Sequence, residues 1–188
     1  MPQIIRSIIY KKKALGMKIR GFMTRLYLKT LGGKCGTKLH IGSGVAFKHP
    51  PHKKIVFGNN ITIGDNVIFD IEESAELIIG NNVKITGPCY IAASKKIQIG
   101  DSTLIAEYVS IRDSNHQSAL DIDINQQALL SENVIIGRDV WIGRGCAIIK
   151  GSLIEAGSII AANSVLNKPT SMNSVFGGSP AKFIKNRS

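Results

Sequence analysis

The sequence predicts an all-β chain wound as a parallel β-solenoid, with a helical segment in front of it. Three observations carry this. Aliphatic residues recur at 136, 142, 148, 154, 160 and 166, a step of six each time. An amphipathic helix starting at Ile136 would put apolar side chains near 139, 140 and 143, yet 139 is Asp and 143 is Gly, so the helical template fails. Strand-like alternation lasts only three or four residues, as in VIIG and VWIG, before a polar or small residue breaks it. Short strand, corner, short strand is the pattern of a solenoid. Three sides of six residues make a triangular coil of about eighteen.

The helical segment comes first, over residues 1–32. Ile4, Ile5, Ile8 and Ile9 form one apolar set, and Leu15, Ile19, Phe22, Met23 and Leu26 form another at steps of three and four. Gly16 is expected to interrupt or bend the helix between them. Lys and Arg fill the intervening positions. Such a helix can pack on its own domain, on a neighbouring subunit, or on an anionic lipid surface. A loop, LGGKCGTK, follows.

Residues 33–188 hold the solenoid. From about residue 40 the six-step runs through Phe57, Ile63 and Phe69, then Ile79, Ile85, Ile91 and Ile97, and restarts in a shifted register at Ile99, Ile105 and Ile111. A polar insertion over 112–133 interrupts it before Ile136. About six coils are expected. Many inward residues precede a small one, as in Ile63–Gly64 and Ile142–Gly143, which suits crowded or left-handed corners.

Composition narrows the class. The chain has 188 residues, 44% hydrophobic and 20% charged, with aromatics at only 6%. Aliphatic side chains must therefore fill a globular core. Cys35, Cys89 and Cys146 are widely spaced and odd in number, a poor disulfide framework that reads as reduced thiols in a cytoplasmic protein. No stretch is long and apolar enough to span a bilayer. The start lacks the apolar core and cleavage site of a secretion signal.

The net charge of +11 is uneven: residues 1–64 carry thirteen Lys or Arg and no Asp or Glu, whereas the rest carries eleven basic against thirteen acidic residues. One end is thus suited to an anionic partner. No nucleic-acid recognition module accompanies that charge. Packing on the chain's own domain or on a neighbouring subunit, and peripheral contact with the inner face of the cell membrane, both stay open as uses of this end.

The second half carries further motifs in order: DSNH at 113–116, VWIG at 140–143, AANSVLNK at 161–168 and GGSPAKFIK at 177–185. On these the chain resembles the hexapeptide-repeat acyltransferases, in particular the galactoside and maltose O-acetyltransferase-like family. The resemblance covers most of residues 99–185 and does not extend over residues 1–60. It implies a left-handed parallel β-helix and a homotrimer. It also implies acetyl-CoA as acyl donor in a groove between neighbouring prisms, and a histidine base on a loop, the position of His116. Imidazole titrates near pH 6.5, so it can take a hydroxyl proton at neutral pH.

By motif position, Trp141, Gly143, Arg144, Ala162 and Asn167 are expected along the cofactor groove. Lys168, Lys182 and Lys185 are expected near its phosphates. Asp113 or Asn115 either orients the imidazole or simply forms a turn. The family's acceptor-holding asparagine falls near Thr86 and Gly87 here, and the first acid of the chain is Asp65, so a simple galactoside or maltose is not the expected acceptor.

The expected activity is acetyl-CoA-dependent O-acetylation of a sugar hydroxyl, on a glycan or polysaccharide precursor. N-acylation of an amino sugar or amino acid stays open. A metal-binding or non-catalytic trimeric scaffold is a third class. A zinc site built on three histidines would have to draw on His40, His49, His52 and His116, of which two sit in the proline-broken HPPH. No metal is expected.

Overall fold

The computed structural model describes residues 3–188; Met1 and Pro2 of the helical segment, and the Ile4 side chain of its first apolar set, lie outside the described residues. The architecture is a parallel β-solenoid of three faces, with one helix at its base. The first face stacks Lys34–Cys35, Ile55–Phe57, Glu76–Ile79, Lys96–Ile99, Val134–Ile136 and Leu153–Ile154. The second stacks Leu39–Ile41, Ile61–Ile63, Lys84–Ile85, Leu104–Ile105, Trp141–Ile142 and Ile159–Ile160, then Ser174–Gly177. The third stacks Ala46–Phe47, Val67–Ile71, Cys89–Ala93, Ser110–Arg112, Ala147–Ile148 and Val165–Leu166.

The core is the set of inward columns. Phe57, Ile79, Ile99, Ile136 and Ile154 lie one above another on the first face and are almost wholly buried. Burial of each such side chain contributes about 1.5–3 kcal/mol, and coil-to-coil ladders satisfy the backbone. The Cys35, Cys89 and Cys146 thiols are free and buried among these columns.

The eighteen-residue coil holds only near the top, where Lys150 sits 18 residues beyond its partner Glu132. Lower down the repeat is longer. Asn59 and Asn81, stacked at one corner, are 22 residues apart, and Asn81 and Asp101 are 20 apart. Steps from first to second face and from second to third remain six throughout, as in 57, 63, 69 and 99, 105, 111. All the excess falls at the corner returning from the third face to the first. This explains the register shift: Ile97 and Ile99 are both inward on one strand, and Ile99 is the residue stacked on Ile79. The array also starts earlier than expected, at Lys34–Cys35.

The corners are crowded, as expected, but the left-handed residue is not the small one that follows the inward residue. Gly143 follows its inward residue because backbone presses on it: a Cβ there would lie 2.7 Å from the Ala162 nitrogen. The left-handed residue comes two places later in the turn, as at Asn66 (φ 58°) and Asp139 (φ 54°), where short polar side chains tolerate that conformation.

Helix α1 spans Gln3–Thr30 without a break. Gly16 neither interrupts nor ends it; a single glycine costs only about 1 kcal/mol in a helix of this length. The helix closes the base of the prism. Leu28 is fully buried in the core. Gly21 packs so closely that a Cβ would overlap the Leu39 carbonyl. Arg20 Nε donates to the Ile41 and Gly42 carbonyls at 3.0 and 2.9 Å, capping edge groups that would otherwise offer a pairing template. At the other end, Lys182–Asn186 folds back antiparallel on Ser174–Gly177.

Candidate active site

After Arg112 the chain leaves the prism at the third-to-first corner and returns at Val134. The excursion begins and ends as an antiparallel hairpin, Ser114–His116 against Leu129–Ser131, which pairs His116 with Leu129. Gln127 organises the interior of the loop: its side chain accepts from the Ala119 amide at 2.8 Å and donates to the Ala119 and Ile122 carbonyls at 2.9 and 2.6 Å.

Asp113 pins the base. It is 0% exposed, and its carboxylate accepts the backbone N–H groups of Ser94, Lys95 and Lys96 at 2.8, 2.8 and 2.7 Å. Its carbonyl accepts the Glu132 amide at 2.9 Å where the chain returns. Of the two roles expected for Asp113, these contacts favour the turn, because its carboxylate oxygens are committed to amides of the coil below. Asn115 is exposed beside His116. Among the described residues, no side-chain hydrogen bond engages either.

His116 lines a cavity of about 460 Å³, together with Asp70, Glu72, Ala92, Ser94, Arg112, Ser114, Asn115 and Leu129. Asp70 carries a dense set of partners: Tyr90 Oη donates to it at 2.5 Å, Lys48 Nζ at 3.2 Å, and His49 Nε2 lies 3.2 Å away. Partial burial pushes the Asp70 carboxyl up, but the Tyr90 hydroxyl and Lys48 ammonium outweigh it and hold the group below the usual carboxylate range. The same contacts, with Tyr90 first, raise Lys48.

Of the lining residues, only His116 and Asn115 are among those the sequence singles out. The signal available for the others was their place: 70, 92 and 112 are outward positions of strands whose inward positions follow the repeat.

The other expected residues lie elsewhere. Trp141 is on the second face, 48% exposed, between Leu104 and Ile159. Gly143 stacks against Ala162 at the second-to-third corner. Arg144, at the same corner, pairs with Glu107 at 3.2 Å and lies 5.1 Å from the Tyr108 ring centroid. Lys182 and Lys185 are exposed on the terminal strand of the second face. Asn167 and Lys168 are exposed just beyond Val165–Leu166. One chain therefore gathers Gly143, Arg144 and Ala162 but does not bring them to His116, which stands across the width of the third face. Among the described residues, no cluster of three or more His, Cys, Asp or Glu is placed to hold a metal ion.

Residues 133–168 match the bacterial transferase hexapeptide (six repeats) family model. No curated protein matches the chain. Similar solved structures include AntD, an N-acyltransferase from Bacillus cereus in complex with dTDP and 3-hydroxybutyryl-CoA, at 22% identity and a TM-score of 0.73, covering 87% of this chain and 88% of that one. The hexapeptide-repeat containing acetyltransferase VCA0836 from Vibrio cholerae aligns at 22% identity and a TM-score of 0.62, over 94% and 90%. The polySia-specific acetyltransferase NeuO aligns at 23% identity and 0.57, over 81% and 74%. The chain thus carries the bacterial transferase hexapeptide repeat in its last two coils and has, over most of its length, the fold of hexapeptide-repeat acyltransferases.

Proposed function

We propose that the chain is an acyltransferase that carries an acetyl group from acetyl-CoA to a sugar hydroxyl, acting as a homotrimer. One observation carries the reading: an exposed histidine held over a polar cavity by a pinned hairpin, in a fold shared with acyltransferases. A hydroxyl attacks a thioester carbonyl only as its proton leaves. The His116 imidazole takes that proton while the new C–O bond forms, and returns it to sulfur as the C–S bond breaks. A backbone N–H at a coil edge suits the negative carbonyl oxygen.

Support for an assembly of copies comes from what one chain leaves incomplete. The residues expected to bind the donor lie a face away from the base, so donor and base meet across two copies. The loop tip supports this: Leu120 is 99% exposed, and Ile122 and Ile124 are exposed beside it, an apolar surface that a neighbouring prism would cover.

The acceptor is proposed to be a precursor held at the inner face of the cell membrane. In support, α1 turns Ile8, Ile19, Phe22, Met23 and Leu26 to solvent, flanked by lysine and arginine with no acidic residue on the helix. Among the described residues, no helix is long and apolar enough to cross a membrane.

N-acylation of an amino sugar or amino acid is the second reading. AntD is an N-acyltransferase, and Asp70 and Glu72 would attract an ammonium group. Incubation with isotopically labelled acetyl-CoA and a panel of sugars and nucleotide-linked sugars decides between them. An ester product is cleaved by mild base and an amide survives. Absence of any acetylated product across the panel, with CoA unbound, removes the acyltransferase reading.

A further inference from the structure

We propose that the cavity beneath His116 is an acceptor subsite for an anionic sugar, a polyol bearing a phosphate or carboxylate, in which Arg112 receives the anion and Glu72 the hydroxyls. The proposal rests on the acyl-transfer reading for the ligand's role as acceptor. Its chemistry comes from the register of the third face. Asp70, Ala92 and Arg112 are ladder partners on three consecutive coils, and all three side chains point outward. Coil spacing puts the outer two roughly 10 Å apart. Between them Ala92 contributes only a methyl group, so the surface dips where a larger residue would fill it.

One pleat along, Glu72, Ser94 and Ser114 form a second column: Ser94 Oγ donates to Glu72 Oε1 at 2.8 Å and lies 3.1 Å from Ser114 Oγ. The cavity therefore lies among hydroxyl-binding groups, with His116 also in its lining.

The charges in the cavity are not equivalent. Asp70 is already balanced by Lys48, His49 and the Tyr90 hydroxyl. Arg112 is not balanced: among the described residues it forms no ion pair, although two carboxylates line the same cavity. Its guanidinium stacks on the Tyr90 ring, 4.6 Å from the centroid, and its Nε donates to Ser110 Oγ at 3.3 Å. These contacts fix the guanidinium plane and leave the terminal nitrogens to a ligand. A held planar fork of N–H donors matches a phosphate or carboxylate bidentately. Glu72, an acceptor-only group when ionised, suits hydroxyl donors and repels an anion. The ligand's direction follows: anion toward Arg112, hydroxyls over Ala92 toward Glu72.

The test is binding by isothermal titration to the full chain, with D-glucose, α-D-glucose 1-phosphate and D-glucuronate as probes and CoA binding measured in parallel. The two charged sugars separate phosphate from carboxylate recognition. At least one should bind on the order of tenfold more tightly than glucose. Arg112→Gln should abolish that preference, Arg112→Lys should restore part of it, and Ala92→Leu should block all three sugars. CoA affinity and the thermal unfolding midpoint should stay unchanged in each variant. Equal binding of charged and neutral sugars, a preference that survives Arg112→Gln, or no sugar binding while CoA binds would each overturn the proposal. Loss of CoA binding by the wild-type chain would instead remove the acyl-transfer reading.

Discussion

Asp113 couples the prism to its loop through three amide hydrogen bonds from a buried carboxylate. Asp113→Ala leaves those N–H groups without their acceptor and should cost about 2–4 kcal/mol in chemical denaturation. Asp113→Asn should recover little, because its amide turns a donor toward other donors. This role was hidden in the sequence: DSNH placed the aspartate near the histidine, but only the fold shows that its carboxylate points down into the preceding coil. Arg112 carries no mark in the sequence for a related reason. Its partner is an aromatic ring one coil below, 22 residues back in sequence, and no local spacing marks such a pair. The cysteines were legible. Burial pushes the Cys89 thiol up to about 11 and raises Cys35 and Cys146 as well. An aromatic disulfide reagent at pH 8 should therefore label none of the three until the protein unfolds. Rapid native-state labelling would contradict the packing described here.

At the scale of elements, α1 does two jobs with opposite sides. Leu28, Gly21 and Arg20 seal the first coil, while Ile19, Phe22, Met23 and Leu26 remain exposed. The spacing of apolar residues foretold the helix but could not divide those that pack from those that do not. The second apolar set, Leu15, Ile19, Phe22, Met23 and Leu26, is exposed throughout, and the buried Leu28 and Gly21 lie outside it, so only tertiary contact reveals the packed side. The exposed side, ringed by cations, should bind phosphatidylglycerol-rich vesicles and not phosphatidylcholine ones in co-sedimentation. The double variant Phe22→Ser, Leu26→Ser should bind several-fold more weakly yet unfold at the wild-type temperature. Equal sedimentation of both proteins would place the interaction elsewhere.

At the scale of the whole molecule, one corner of the triangle absorbs every departure from the six-residue step. That corner holds the extended returns at 48–54, 72–75 and 94–95, and finally the insertion that carries His116. The other two corners keep a fixed length because backbone presses on backbone there; a Cβ on Gly64 would lie 2.4 Å from the Gly87 nitrogen. A Gly-Ser pair inserted between Glu73 and Ser74 should therefore lower the unfolding midpoint by only a few degrees. The same pair between Gly64 and Asp65 should destabilise by more than about 3 kcal/mol. The repeat itself was legible because inward aliphatic residues cannot vary without opening a cavity. Lengths at the permissive corner, and the polar columns beside it, were not, because solvent tolerates many solutions. The site thus sits where the coil is free to vary, on a scaffold that is not. Its chemistry is tested most directly by the rate of acetyl transfer from acetyl-CoA in His116→Ala, with CoA affinity measured on the same preparation. That rate should fall on the order of 10²-fold or more with CoA binding intact; a wild-type rate would contradict a catalytic role for His116.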